Sequence, residues 1–172
     1  MTTPSHHLAQ INVAHALAPL DTPLLADFVA KLDEINALAD AAPGFVWRLQ
    51  SESGNATDIR HDSDPNLIVN MSVWQSAETL FEYVYKTAHT QVMARRREWF
   101  ARPQQAFQVL WWVPAGTTPT VEEGLERLAH LQAHGPTPHA FTFKQRFAAP
   151  EPGAAATGNI LPVLEPAPYC HS

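Results

Sequence analysis

Residues 7–17 alternate between two sides. His7, Ala9, Ile11 and Val13 fall on one, and Leu8, Gln10, Asn12 and Ala14 on the other. A period of two predicts a β-strand. After the turn APLDTP the period lengthens. Leu24, Phe28, Leu32, Ile35 and Leu38 or Ala39 recur at helical spacing within residues 23–44. Thr22 is the expected N-cap, Pro23 takes the first helical position, where a missing N–H costs nothing, and Pro43-Gly44 is the stop. Alternation returns in FVWRLQS (45–51) and LIVNMSVW (67–74), around a segment of turn formers whose residues 56–60 are expected to extend a hairpin. Ser76 caps a second predicted helix over 77–100, with Glu78 in its positive first turn. ARPQQA breaks that helix, and FQVLWWVP (107–114) reads as a strand. Thr120 caps a third helix over 121–134, which Gly135-Pro136 ends, and a strand over 139–147 closes the domain. From residue 148 the chain is rich in Pro, Ala and Gly and reads as a flexible tail.

The order β-α-β-β-α-β, then α-β, is a ferredoxin-like plan. It is an α+β fold: one domain over residues 1–147, with an antiparallel sheet, helices on one face and an added C-terminal helix and strand. Parity divides the strand residues into two sets. Ile11, Val13, Phe45, Trp47, Leu49, Leu67, Val69, Met71, Val73, Val109, Trp111 and Val113 are all apolar and are expected to pack on the helices. Gln10, Asn12, Val46, Arg48, Gln50, Ile68, Asn70, Ser72, Trp74, Gln108, Leu110 and Trp112 mix amides and an arginine with tryptophans. Such a face suits a ligand chamber, a subunit interface or both. A second copy is its simplest cover, giving a barrel-like homodimer. A slip of one residue at a bulge would exchange the sets.

Composition narrows the function classes. The chain has 172 residues, 45% of them hydrophobic, and a formal net charge of −6, so general nucleic-acid binding is not expected. Cys170 is the only cysteine, which fits a reducing cytoplasm. The start lacks a basic region before an apolar run, and no apolar stretch approaches a membrane span, so neither a signal nor a membrane partner is expected. No Gly-rich phosphate loop or G-x-S-x-G elbow is present. No metal site is expected: Asp62 and Asp64 read as turn formers, and His134, opposite His139 across Gly-Pro-Thr-Pro, as a helix-end hydrogen bonder.

The run YKTAHTQVMARRREWF (85–100) carries the candidate chemistry. On one helix, His89 lies inside the apolar stripe and Arg96 two turns on along the same side, with Arg97 opposite and Arg95 at the edge. The arginines therefore form no single basic surface. Arg96 is expected to pair with Asp21, Asp27 or Glu98, or else with a ligand anion. His89 is either a hydrogen-bonded core histidine, a general base or an axial metal or haem ligand.

The segment NMSVWQSAETL (70–80), followed by His89, resembles the strand-Trp-x-Ser-x-x-x-Leu-helix-His pattern of dimeric α+β barrel proteins, the antibiotic-biosynthesis-monooxygenase-like superfamily. With LAQINVA (8–14), PGFVWRL (43–49), MARRREWF (93–100), LWWVPAG (110–116) and HGPTPHAFTF (134–143), residues 7–147 resemble a bacterial family in it catalogued as a domain of unknown function. The resemblance implies a monooxygenase-like enzyme for an aromatic or polyketide-like small molecule. In cofactor-free members an Asn and a Trp four apart line the substrate chamber; Asn70 and Trp74 match. The Asn would hydrogen-bond a phenolate or peroxy intermediate and the Trp would stack on the ring. Those members also use a tyrosine and an arginine on the next segment, where this chain has Leu80 or Phe81 early in the helix, with Tyr85 and Arg95 or Arg96 nearby. The implied catalytic residues are His89, Asn70 and Arg96, and the implied substrate-binding residues are Asn12, Arg48, Trp74, Tyr85 and Trp112. No dedicated cofactor is implied; haem on His89 is the alternative, as in haem-degrading members. A non-catalytic dimeric ligand-binding module is the third reading.

Overall fold

A computed structural model describes residues 4–50 and 66–150 and the backbone of 160–161. Strand β1 (His6–His15) leads through a 3-10 turn (Pro23–Leu25) into α1 (Ala26–Ala41) and β2 (Phe45–Arg48). Then come β3 (Leu67–Trp74), α2 (Ala77–Lys86), α3 (His89–Ala94), α4 (Arg96–Trp99), β4 (Gln108–Pro114) and α5 (Val121–His134). The two-residue strands β5 (Arg146–Phe147) and β6 (Ile160–Leu161) finish it. The main sheet has the order β2-β3-β1-β4, with antiparallel neighbours. Each β-α-β unit thus skips one position, which is the ferredoxin-like topology.

The cross-strand register sorts the faces as parity predicts. Ala9 lies opposite Val73 and Trp111, Ile11 opposite Met71 and Val109, while Asn12 lies opposite Asn70 and Gln108. One position departs. A bulge between Phe45 and Trp47 turns Phe45 to the mixed face, edge-on to Trp74 at 5.4 Å between centroids.

The layer over each face differs from expectation. The all-apolar face packs on α5, through Leu128, Leu131 and the partly buried Val121 and Leu125. It does not meet α1 and α2. Gly124 makes the approach close: a Cβ there would lie 2.7 Å from Ile11 Cδ1 and 3.2 Å from the Trp111 ring. The mixed face instead meets α1–α3, where Leu8, Trp74 and Leu110 join Leu80, Phe81, Tyr83 and Val84. The ground for expecting a second copy, a bare mixed face, is thereby removed. The end groups of α5 are as read from sequence: Glu123 N–H donates to Thr120 Oγ1, and Gly135 stops the helix at φ 76°.

The helix predicted over 77–100 is three pieces. Thr87 is extended, with φ −121° and ψ 179°. Its hydroxyl donates to the Tyr83 carbonyl and accepts from His89 N–H, taking both groups out of helix pairing. A second break falls at Arg95. Thr22 also caps no helix; its hydroxyl donates to the Pro19 carbonyl, and the 3-10 turn intervenes before α1. Ser76 does cap α2, in a reciprocal box with Thr79. Ser76→Ala is expected to cost about 1 kcal/mol in urea unfolding, a loss that Ser76→Asp restores.

The strand expected over 139–147 is mostly absent. Phe141 meets Leu110 in one isolated bridge, and only Arg146 and Phe147 pair in a ladder, with Leu161 and Ile160. Part of the segment read as a tail therefore returns to the domain. Residues 56–60, Asp62, Asp64 and Cys170 lie outside the described residues. Among those described, no helix is long and apolar enough to cross a membrane.

Candidate functional site

The mixed face and the helices over it do not close completely. Between them lies a cavity of about 220 Å³. That exceeds the roughly 150 Å³ that holds a benzene ring, leaving room for a substituted ring. Asn12, Asn70, Trp74, Arg48, Tyr85, His89 and Arg96 all line it, so seven of the eight expected site residues share one space within one chain. Trp112 does not. It stands on the same sheet face, but its indole N–H donates to the Phe147 carbonyl at 2.8 Å and its ring lies against Phe141, under the C-terminal segment.

The floor is a chain of amides. Trp74 Nε1–H, which can only donate, binds Ser72 Oγ at 2.9 Å. Gln10 Nε2 donates to Ser72 Oγ and Asn70 Oδ1, both at 2.9 Å, and Gln10 Oε1 accepts from Asn12 Nδ2 and Gln108 Nε2. Asn12 Nδ2 also donates to Asn70 Oδ1 at 3.2 Å. Both lone pairs of that oxygen are used, which turns the Asn70 Nδ2 donors away from the network. Among the described residues they have no partner, and Asn70 is exposed at the cavity. Gln10, only 2% exposed, is the hub that fixes this orientation.

At one end Trp74 stacks on Tyr83 at 5.1 Å, so one face of its ring is occupied before any ligand arrives. Tyr83 OH donates to the Ile35 carbonyl, and burial raises its pKa, keeping the phenol neutral. His89 lies against Tyr83 at 5.1 Å. Its Nδ1 is buried with no hydrogen-bond partner. Burial lowers the His89 pKa, with the Val84 carbonyl opposing, so the imidazole is neutral at neutral pH. The core histidine expected from sequence is found in part: the ring is buried and bonded to the Val84 carbonyl, while Nδ1 is left without a partner.

The opposite end is cationic. The carboxylates expected for Arg96 go to Arg95, which donates to Glu98 at 2.6 Å and Asp27 at 2.9 Å. The helix breaks rotate Arg95 outward to them, which a continuous helix would not do. Arg96 instead lies over the Phe107 ring at 4.0 Å, half-buried and without a carboxylate. Burial lowers its pKa, but a guanidinium stays charged. Arg48 is neutralised by a two-pronged pair with Asp40 at 2.7 and 3.3 Å.

Lining residues not singled out from the sequence as site residues include Gln10, Lys31 and Tyr83. The signal was present for the last two. Lys31 stands three residues after Phe28 and four before Ile35, and Tyr83 three after Leu80, within the stripes taken as purely apolar.

A second cluster joins Glu126, His130 and His139, whose candidate ligand atoms lie within 4.8 Å of one another. His130 and His134, four apart on α5, carried a signal that the reading of His134 and His139 alone passed over. The set does not fit a metal. Arg127 donates to His139 Nδ1 at 2.9 Å, which makes Nδ1 an acceptor and leaves Nε2–H to donate to Glu126. A metal-bound imidazole needs the reverse, its second nitrogen protonated and donating.

Comparison with known proteins now places the chain. A family model described as "Domain of unknown function (DUF3291)" matches residues 7–157. The chain belongs to the DUF3291 family. No functionally curated protein matches it. Among solved structures, PA3566 of Pseudomonas aeruginosa is similar at 14% identity and a TM-score of 0.46, over 68% of this chain and all of that one. A variant of SnoaB, a cofactor-independent oxygenase from Streptomyces nogalater, is similar at 15% identity and 0.43, over 67% of this chain and 97% of that one. A provisional antibiotic biosynthesis monooxygenase of Nitrosomonas europaea is similar at 18% and 0.44, over 70% and 99%. The family expected from the sequence, a domain of unknown function, is the one found. At this level of likeness nothing of those proteins' chemistry transfers, and the fold of this DUF3291 chain rests on its own strand order.

Proposed function

We propose that this DUF3291 chain is a monooxygenase-like enzyme that oxidises an aromatic or polyketide-like phenol with O2 and no dedicated cofactor. The observation that carries the reading is one cavity lined both by Asn70, whose amide donors are free, and by His89, a neutral ring whose buried Nδ1 has no hydrogen-bond partner. An orphaned buried acceptor costs about 1–3 kcal/mol, and a substrate hydroxyl would relieve that cost. His89 would take the phenolic proton, and Asn70 would donate to the phenolate oxygen. The electron-rich ring then supplies the electrons. Its activated CH2 carbon bonds one oxygen atom of O2, the O–O bond breaks, and the second oxygen leaves as water with both hydrogens. CH2 and O2 thus become C=O and H2O, with the substrate as sole reductant.

No step is derived through haem. The groups this reading uses all come from one chain, so it does not require a homodimer.

The test is oxygen uptake with 1,8-dihydroxyanthrone, corrected for its uncatalysed oxidation. The native chain is expected to form the quinone, and Asn70→Ala to lower kcat about a hundredfold. Saturable binding with no oxygen uptake would overturn the enzyme reading in favour of a binding module.

A further inference from the structure

The charges around the cavity do not balance. Among the described residues its ionisable lining includes Lys31, Arg48 and Arg96, but no aspartate or glutamate. This occurs in a chain of formal net charge −6. Asp40 answers Arg48. Nothing answers the other two: among the described residues neither Arg96 nor Lys31 has an ion-pair partner, although carboxylates are plentiful on α1 and Arg95 finds two. Arg96 is half-buried with its guanidinium over the Phe107 ring. The remaining polar lining groups are amides, hydroxyls and the neutral imidazole, none of which carries a negative charge.

The ends of the cavity differ in kind. Phe107, beneath Arg96, passes its carbonyl to Val13 N–H at 2.9 Å, so Arg96 lies past the Asn12–Gln108 pair. Trp74, Tyr83 and His89 gather at the opposite end of β3. The amide floor joins the two.

Resting on the proposed function, we infer that the substrate is an aromatic acid: its carboxylate is seated on Arg96, with Lys31 adding charge, and its hydroxylated ring extends toward His89. A carboxylate matches the planar guanidinium with two parallel hydrogen bonds, and a site walled by hydrocarbon strengthens the pair. An uncharged ring would leave Arg96 desolvated and unanswered.

The probes are 6-hydroxy-2-naphthoate and its methyl ester, equal in ring and hydroxyl and different in charge. Binding is followed by calorimetry on the full chain. The native chain is expected to bind the acid about tenfold to a hundredfold more tightly than the ester. Arg96→Gln is expected to abolish that preference, acid and ester then binding alike, with circular dichroism as the check of fold. Equal affinity for acid and ester in the native chain would overturn the inference and leave the chamber standing. So would a preference that survives in folded Arg96→Gln. If Arg96→Gln does not fold, the comparison in the native chain decides alone. Failure of both probes to bind the native chain would overturn the chamber reading, and the inference with it.

Discussion

Replacing His89 by glutamine is expected to lower kcat/KM for phenol oxidation by about 10²- to 10⁴-fold, the usual worth of a positioned general base. Glutamine keeps much of the volume and a polar end but titrates nowhere near neutrality. The pH profile provides the second readout. Burial lowers the His89 pKa, and the active form is the neutral one. The acid limb of kcat/KM in the native chain should therefore fall below about 6.5, the ordinary histidine value. In His89→Gln that limb should vanish along with most of the rate. Stability follows the same sign. The unfolded chain binds this proton more readily than the folded one, so the His89 contribution is present above about pH 6.5 and is lost as pH falls through the lowered folded value. Urea midpoints of native and His89→Gln chains measured from pH 8 to 5 should converge in that direction. An acid limb unchanged in the variant would remove His89 from the base role.

Trp111→Ala is expected to cost about 3–5 kcal/mol in urea unfolding. Trp111 is 0% exposed, sits where Gly124 brings α5 down on the sheet, and donates its indole N–H to Glu123 at 3.2 Å. Truncation leaves a void between two layers that cannot collapse without moving α5 as a body. The affected face points away from the cavity, so the folded fraction should bind the naphthoate probe as the native chain does. A cost below about 1 kcal/mol would mean that α5 does not seat there.

What could be read along the chain was local. The alternation in LIVNMSVW marks β3 over Leu67–Trp74, and Thr120 and Gly135 bracket α5 over Val121–His134. Parity also groups Asn12, Asn70 and Trp74 on one face, because side chains alternate in any strand. The rest depends on distant residues. Two faces and several amphipathic helices do not say which helix covers which face, and the apolar face found α5. Thr87 reads as one more residue of a long helix until its hydroxyl takes the Tyr83 carbonyl. That break decides which arginine meets Asp27 and which is left at the cavity, a choice helical periodicity alone assigns to the wrong neighbour. At Phe45 a single bulged residue reverses the facing of the strand end.

The position of α5 bears on how the protein responds to dilution. Where a sheet is sheltered by another molecule, mass action strips the shelter away as the concentration falls, and the melting temperature drifts with it. Here the shelter is tied to β4 by the six residues between Pro114 and Val121. Its local concentration is set by that tether and not by the sample. Dilution from micromolar to nanomolar protein should therefore leave that face covered, at whatever copy number the cell maintains.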